Sequence, residues 1–261
     1  MKTYLNSNTL SSNRKSYSLC IAIVAAGMLS AANSKADVVF DNFSSGQSAN
    51  STSSTPNTFM GDGYTLATGT TAITGFDLYP VNVTGTSYTG LRATIYLWGT
   101  VNTGAVSAAT PAFSNLLGTY TFNFTDAYTT GFYFPLVGAT PGTPGAALAS
   151  PVAISSPTVG ITLNYQGTTD GVNYSTVNNL TSIISTGATA PSVGSAVFNG
   201  YYRNGNGEVN GNFTSGVRSL GLQNQSLALR IYGNVTPVPE PTSLALIGAG
   251  GLALLALRRR A

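Results

Sequence analysis

Hydrophobic and polar residues alternate along residues 91–98, with Leu91, Ala93, Ile95 and Leu97 on one side and Arg92, Thr94, Tyr96 and Trp98 on the other. A period of two places one set in a core and leaves the other semi-exposed, the pattern of a β-strand. Phe122 and Phe124 against Asn123 and Thr125, and Leu227, Leu229 and Ile231 around Ala228 and Arg230, repeat it. Alternating or β-branched runs predict strands at residues 73–81, 91–98, 117–124, 132–137, 159–165, 196–202 and 227–235, mostly separated by Gly, Asn or Pro clusters. Such a series of short strands with turn signals predicts an all-β fold, a β-sandwich or jelly roll.

Two stretches break the pattern. Residues 138–158 hold Pro141, Pro144, Pro151 and Pro157 and read as a long surface loop. A domain split there would leave too few strands on each side to close a sandwich, so residues 37–235 are expected to form one domain. The Ser/Thr/Asn-rich residues 44–58 are expected to be mobile.

The ends of the chain differ in kind from its middle. Arg14 and Lys15 precede an apolar run at residues 17–32, and Ser34, Lys35 and Ala36 then form a small-x-small site before Asp37. This is the form of a secretory signal peptide, residues 1–36, with cleavage between Ala36 and Asp37. At the other end Pro237, Pro239 and Pro241 hold an extended peptide that lacks backbone donors. An apolar run follows at residues 242–257, and Arg258, Arg259 and Arg260 close it. A helix over that run is roughly 24 Å long at 1.5 Å per residue, short against roughly 30 Å of hydrocarbon. The run predicts a single, marginally held transmembrane helix. Its arginines keep that end cytoplasmic and leave the domain outside.

Charge follows the same division. The whole chain has 11 Lys and Arg against 8 Asp and Glu. Residues 37–238 retain only Arg92, Arg203, Arg218 and Arg230, against Asp37, Asp41, Asp62, Asp77, Asp126, Asp170 and Glu208. This slightly acidic segment has no lysine, which argues against nucleic acid as a partner. The chain has no histidine, and its one cysteine, Cys20, lies in the N-terminal apolar run. Its context is not that of a lipoprotein site. Ser-His-Asp and Cys-His catalysis, His or Cys zinc sites, haem and iron–sulfur clusters are thereby excluded from the domain, and no cofactor or metal is expected.

The tail, with Pro239, Glu240 and Pro241, the apolar run 242–257 and the basic stop Arg258, Arg259 and Arg260, closely resembles the PEP-CTERM sorting signal of Gram-negative bacteria. The resemblance covers residues 236–261. It implies a membrane processing enzyme, exosortase, as partner, transient anchoring in the inner membrane, and delivery to the cell surface or beyond. It also implies association with exopolysaccharide, biofilm or floc formation. Residues 38–43, the strand at 91–98 and a last strand at 227–232 running into the tail resemble the sandwich domains found in such proteins, a likeness that carries no function.

Within the domain the candidate chemistry is sparse. Tyr96, Trp98, Tyr201 and Tyr202 have the side chains that stack on sugar rings, although core packing explains the same residues. The Gly/Asn-rich residues 204–212 read as a hairpin connection beside them. Gly61-Asp62-Gly63 and Asp170-Gly171 lack the regular acidic spacing of a calcium loop and read as turns. The expectation is a non-enzymatic structural or adhesive surface protein, with polysaccharide as a ligand. The alternatives are a secreted carboxylate-dependent glycan-active enzyme and a permanently anchored surface protein.

Overall fold

A computed structural model of the chain describes residues 37–43, 47–49, 59–82, 85–129, 132–133, 135–176, 180–185, 191–197, 201–204, 213, 217–219 and 226–236. The expected signal peptide, the apolar run 242–257 and the sorting motif lie outside them. Among the described residues no helix is long and apolar enough to cross a membrane.

The first strands are β1 (Asp37–Asp41), β2 (Gln47–Ala49), β3 (Phe59–Thr65), β4 (Thr70–Leu78) and β5 (Pro80–Asn82). Then come β6 (Gly90–Val101), β7 (Phe113–Phe124), β8 (Phe132–Tyr133), β9 (Ala146–Ala153) and β10 (Thr158–Thr168). The last are β11 (Ser175–Thr176), β12 (Leu180–Ser185), β13 (Ser195–Ala196), β14 (Tyr201–Asn204), β15 (Val217–Ser219), β16 (Ser226–Leu227) and β17 (Leu229–Val235). The fold is all-β, and the paired strands run antiparallel.

One sheet has the order β1-β17-β4-β9, and a larger one the order β15-β14-β3-β10-β6-β7, with β11 and β13 added beside β10 and β3. A smaller sheet runs β16-β12-β5-β8, with β2 on β12. Strands from both sides of residues 138–158 interleave, since β10 lies between β3 and β6, and β17 between β1 and β4.

Alternation builds the main core. Leu91, Ala93, Ile95 and Leu97 of β6 are fully buried, and Ile161 and Leu163 of β10 join them from the same sheet. Phe40, Ile73, Phe76, Leu229 and Ile231 reach the same cluster from β1, β4 and β17. Each such side chain contributes about 1.5–3 kcal/mol by leaving water.

The larger sheet is covered on its other face as well. Phe59, Trp98, Ala112, Phe113, Tyr202 and Phe213 form a second buried cluster there. Phe113 occupies space that two strands leave open by carrying glycine. A Cβ on Gly61 would stand 2.6 Å from the Phe213 ring and 3.0 Å from Phe113, and one on Gly160 would collide with Phe113.

Three sequence expectations change. Gly61-Asp62-Gly63 is not a turn; it lies inside β3, paired with Ile161 and its neighbours on β10. The Pro-rich residues 138–158 are not all loop, since they contain β9, which carries Pro151 at the edge of its sheet. An edge strand tolerates proline because its outward side needs no donor. Within the stretch 44–58, Gln47–Ala49 pairs with β12.

Candidate functional site

The outer face of the four-stranded sheet carries a charged ladder. Registry places Asp41 of β1 and Asp77 of β4 directly opposite Arg230 of β17, one on each side. Arg230 donates Nε–H to Asp41 Oδ2 and Nη1–H to Asp77 Oδ2, both at 3.0 Å. Tyr232 donates its hydroxyl to Asp77 Oδ2 at 2.7 Å, and the Gly145 amide donates to Asp77 Oδ1 at 2.7 Å. Burial, and then the hydrogen bond to Asp77, push the Tyr232 phenol up. The guanidinium also lies over Phe43, 5.0 Å from its centroid, and Phe43 stacks on Tyr79 at 5.3 Å. A single cation between two carboxylates, with three donors already on the buried Asp77, is suited to locking three strands together.

A second carboxylate is buried within the core. In β3 the alternation that sends Met60 and Tyr64 into the main core sends Asp62 there too. Ser226 donates its hydroxyl to Asp62 Oδ2 at 2.7 Å, the Leu227 amide donates to the same oxygen at 3.2 Å, and the Gly63 amide donates to Oδ1 at 2.7 Å. Asp62 thereby joins β16 of the smaller sheet to β3 of the larger one. Burial, and then the Asp62 charge, hold the Tyr64 phenol well above its usual range.

The remaining acids have other neighbours. Asp170 caps an exposed turn, accepting from the Val172 and Asn173 amides, the Thr168 hydroxyl and the Asn173 side chain, with Gly171 at φ +77°. Those bonds, the Asn173 amide foremost, hold its carboxyl far below the usual range. Its expected turn role is thus observed. Asp126 is exposed beside Tyr128, and Glu208 lies outside the described residues. Among the described residues no group of three or more acids gathers as metal ligands would.

The sugar-stacking candidates are split by burial. Trp98 is 5% and Tyr202 4% exposed. Trp98 stacks near Phe113 at 6.4 Å and donates Nε1–H to Thr162 Oγ1 at 3.0 Å. Tyr202 meets Phe113 edge-on at 5.9 Å and stacks on Phe213 at 5.4 Å. Neither ring has a free face, because Phe113 and Phe213 close over the side of the sheet that alternation alone leaves semi-exposed. Tyr96 is half-buried and meets Phe59 edge-on at 5.5 Å. The Tyr201 side chain lies outside the described residues.

Sequence reasoning missed both buried carboxylates as joints. Asp77 and its partner Arg230 carry a signal, a single charge between apolar residues in Phe76-Asp77-Leu78 and Ala228-Leu229-Arg230-Ile231, whereas Asp62, between Gly61 and Gly63, carries none.

The two ends of the domain meet on one sheet. Asp37, the first residue after the expected cleavage point, pairs with Gly233, near the end of β17. Near the end of β17 the Thr71 hydroxyl donates to Asn234 O at 3.2 Å, and just beyond it the Thr236 amide donates to Gly69 O at 2.9 Å. The chain is thus held by the fold up to the residue before Pro237. Pro239, Glu240, Pro241 and Arg258, Arg259 and Arg260 lie outside the described residues, as does Ala36.

Neither the curated proteins nor the solved structures gave a match. Residues 237–260, which begin one residue after that last backbone bond, match the family model described as the PEP-CTERM protein-sorting motif, and this motif marks the chain as a secreted protein sorted by exosortase.

Proposed function

We propose that the chain is a surface or extracellular-matrix protein whose domain, a β-sandwich, works without catalysis as a structural or adhesive component associated with exopolysaccharide and biofilm. The observation that carries this reading is the sorting motif at residues 237–260, attached directly to an interior strand of the domain. Only five residues, Pro237 to Pro241, three of them proline, separate the last residue held by the fold from the apolar run. A processing enzyme at the membrane would find an accessible strip of peptide there. The tail helix holds the protein in the inner membrane of a Gram-negative cell until that step. The carboxylates at Asp62 and Asp77 support a non-catalytic role, since each is engaged by donors that knit strands together.

Mass spectrometry of the exported protein's C-terminus tests the sorting step. A chain ending near Pro239 to Pro241 is expected, and substitution of Glu240 by Ala should leave the tail attached. An intact Arg260 on protein at the surface would make the tail a permanent anchor. For the adhesive role, the exported protein should be retained by exopolysaccharide from the producing cells. Lack of retention would leave the structural role, and release of reducing sugars would favour the glycan-active alternative.

A further inference from the structure

The edges of the sheets are not equally protected. β1 is short and carries Asp37 and Asp41, and its outward groups are taken up by Ala67, Ser192 and Val193. β9 contains Pro151, and β15 is three residues long with Arg218 at its centre. β7 is different. It is 12 residues long, forms one border of the larger sheet and has no Lys, Arg, Asp, Glu or Pro. Among the described residues, 114–124 make backbone bonds only to β6. Proteins blunt exposed edges with charge, proline, brevity or cover, because a bare edge templates another strand.

The core is also incomplete along this border. Leu91, Ala93, Ile95 and Leu97 on β6 are fully buried. On β7 the core-side Leu117, Tyr120, Phe122 and Phe124 are only half-buried, while Thr119, Thr121 and Asn123 on the other face are exposed. A strand added outside β7 would cover those rings and take up the outward amides and carbonyls that make no backbone bond among the described residues.

We propose that β7 is a self-association edge whose occupant is β7 of a second copy of this chain, paired antiparallel about a two-fold axis at Thr121. Register points to that axis. A bulge between Leu97 and Trp98, with Asn115 at φ 59°, interrupts the start of β7 and leaves an unbroken run from Gly118 to Phe124 opposite β6, whose middle residue is Thr121. About Thr121, Tyr120 meets Phe122 and Thr119 meets Asn123, so aromatic faces aromatic and polar faces polar. The absence of charge lets the strand meet itself, since like charges directly opposite one another repel.

The test uses exported protein from the cells that make it, with molar mass measured by light scattering as concentration rises. A twofold rise in mass is expected, and Thr121→Lys, at an exposed position, should abolish it while circular dichroism stays unchanged. Should that variant fail to fold, Thr119→Lys, also exposed, replaces it. Cys20 precedes the cleavage point, so Thr121→Cys gives the exported chain a single thiol. Directly opposed Cα atoms of an antiparallel pair lie about 4.5–5.5 Å apart, within the roughly 4.4–6.8 Å that a disulfide spans, so oxidation should yield a disulfide dimer. Thr119→Cys, displaced from its copy along the strand, should not. A monomer at every concentration, a dimer indifferent to Lys at these positions, or a different protein on the edge of a monomeric chain would each overturn the proposal.

Discussion

Arg230 stands directly across from Asp77 on the neighbouring strand and donates Nη1–H to it at 3.0 Å, while its Nε–H reaches Asp41 on the other side. Three strands are thus tied by one side chain. Removing the cation leaves Asp77, 0% exposed, as a buried charge with Tyr232 and the Gly145 amide as remaining donors. Arg230→Met should therefore cost about 3 kcal/mol in urea unfolding. Arg230→Lys should recover only part of this, because one ammonium lacks the planar fork that serves both carboxylates.

Asp62 joins the smaller sheet to the larger through Ser226 and Leu227. Asp62→Ala leaves two buried amides and a hydroxyl without this acceptor, and an unmet buried donor costs about 1–3 kcal/mol. A loss of about 3 kcal/mol or more is expected. Ser226→Ala, which removes one donor and leaves the carboxylate its amides, should cost about 1 kcal/mol. Equal losses from the two changes in thermal unfolding would show that the carboxylate is not the joint.

The pattern of positions made the long strands legible before any coordinates. β4, β6, β7, β10 and β17 all overlap runs in which β-branched and aromatic residues recur or alternate. β3 was hidden because glycine and aspartate are turn formers by local preference. Here the glycines make room for Phe113 and Phe213, and Asp62 is satisfied by residues 164 and 165 positions away. Local sequence cannot report a partner so distant. β9 was hidden by its proline and alanines, which an edge position accepts. The sorting motif was legible because its signal is linear, whereas burial of Trp98 and Tyr202 depends on rings from β7 and Phe213 that only the fold brings over them.

Alkaline pH should destabilise the domain through its buried phenols. Burial holds Tyr64 well above its ordinary value of 10.0. The folded state then keeps its proton while the unfolded chain releases it. This contribution to stability is complete below about pH 10 and falls as pH climbs from there towards the folded value. Urea midpoints measured between pH 8 and 11 should decline above pH 10, and Tyr64→Phe should make the decline shallower. An unchanged slope would place the effect on other groups, such as Tyr232, which burial also raises.

Trp98 separates packing from ligand binding. Its ring is closed in by Phe113, and its Nε1–H is spent on Thr162, which is itself fully buried. Trp98→Phe keeps most of the apolar surface but leaves the Thr162 hydroxyl without that donor, for an expected cost of about 1 kcal/mol or somewhat more. Trp98→Ala also opens a cavity beneath Phe113 and should cost about 3–5 kcal/mol. Tyr96, half-buried at the margin of the same cluster, has less to lose, so Tyr96→Ala should cost clearly less than Trp98→Ala. If Trp98 were a sugar platform, its removal would abolish retention by exopolysaccharide while leaving the unfolding midpoint in place. The geometry requires the reverse order. Trp98→Phe should bind as the parent does, and stability alone should fall.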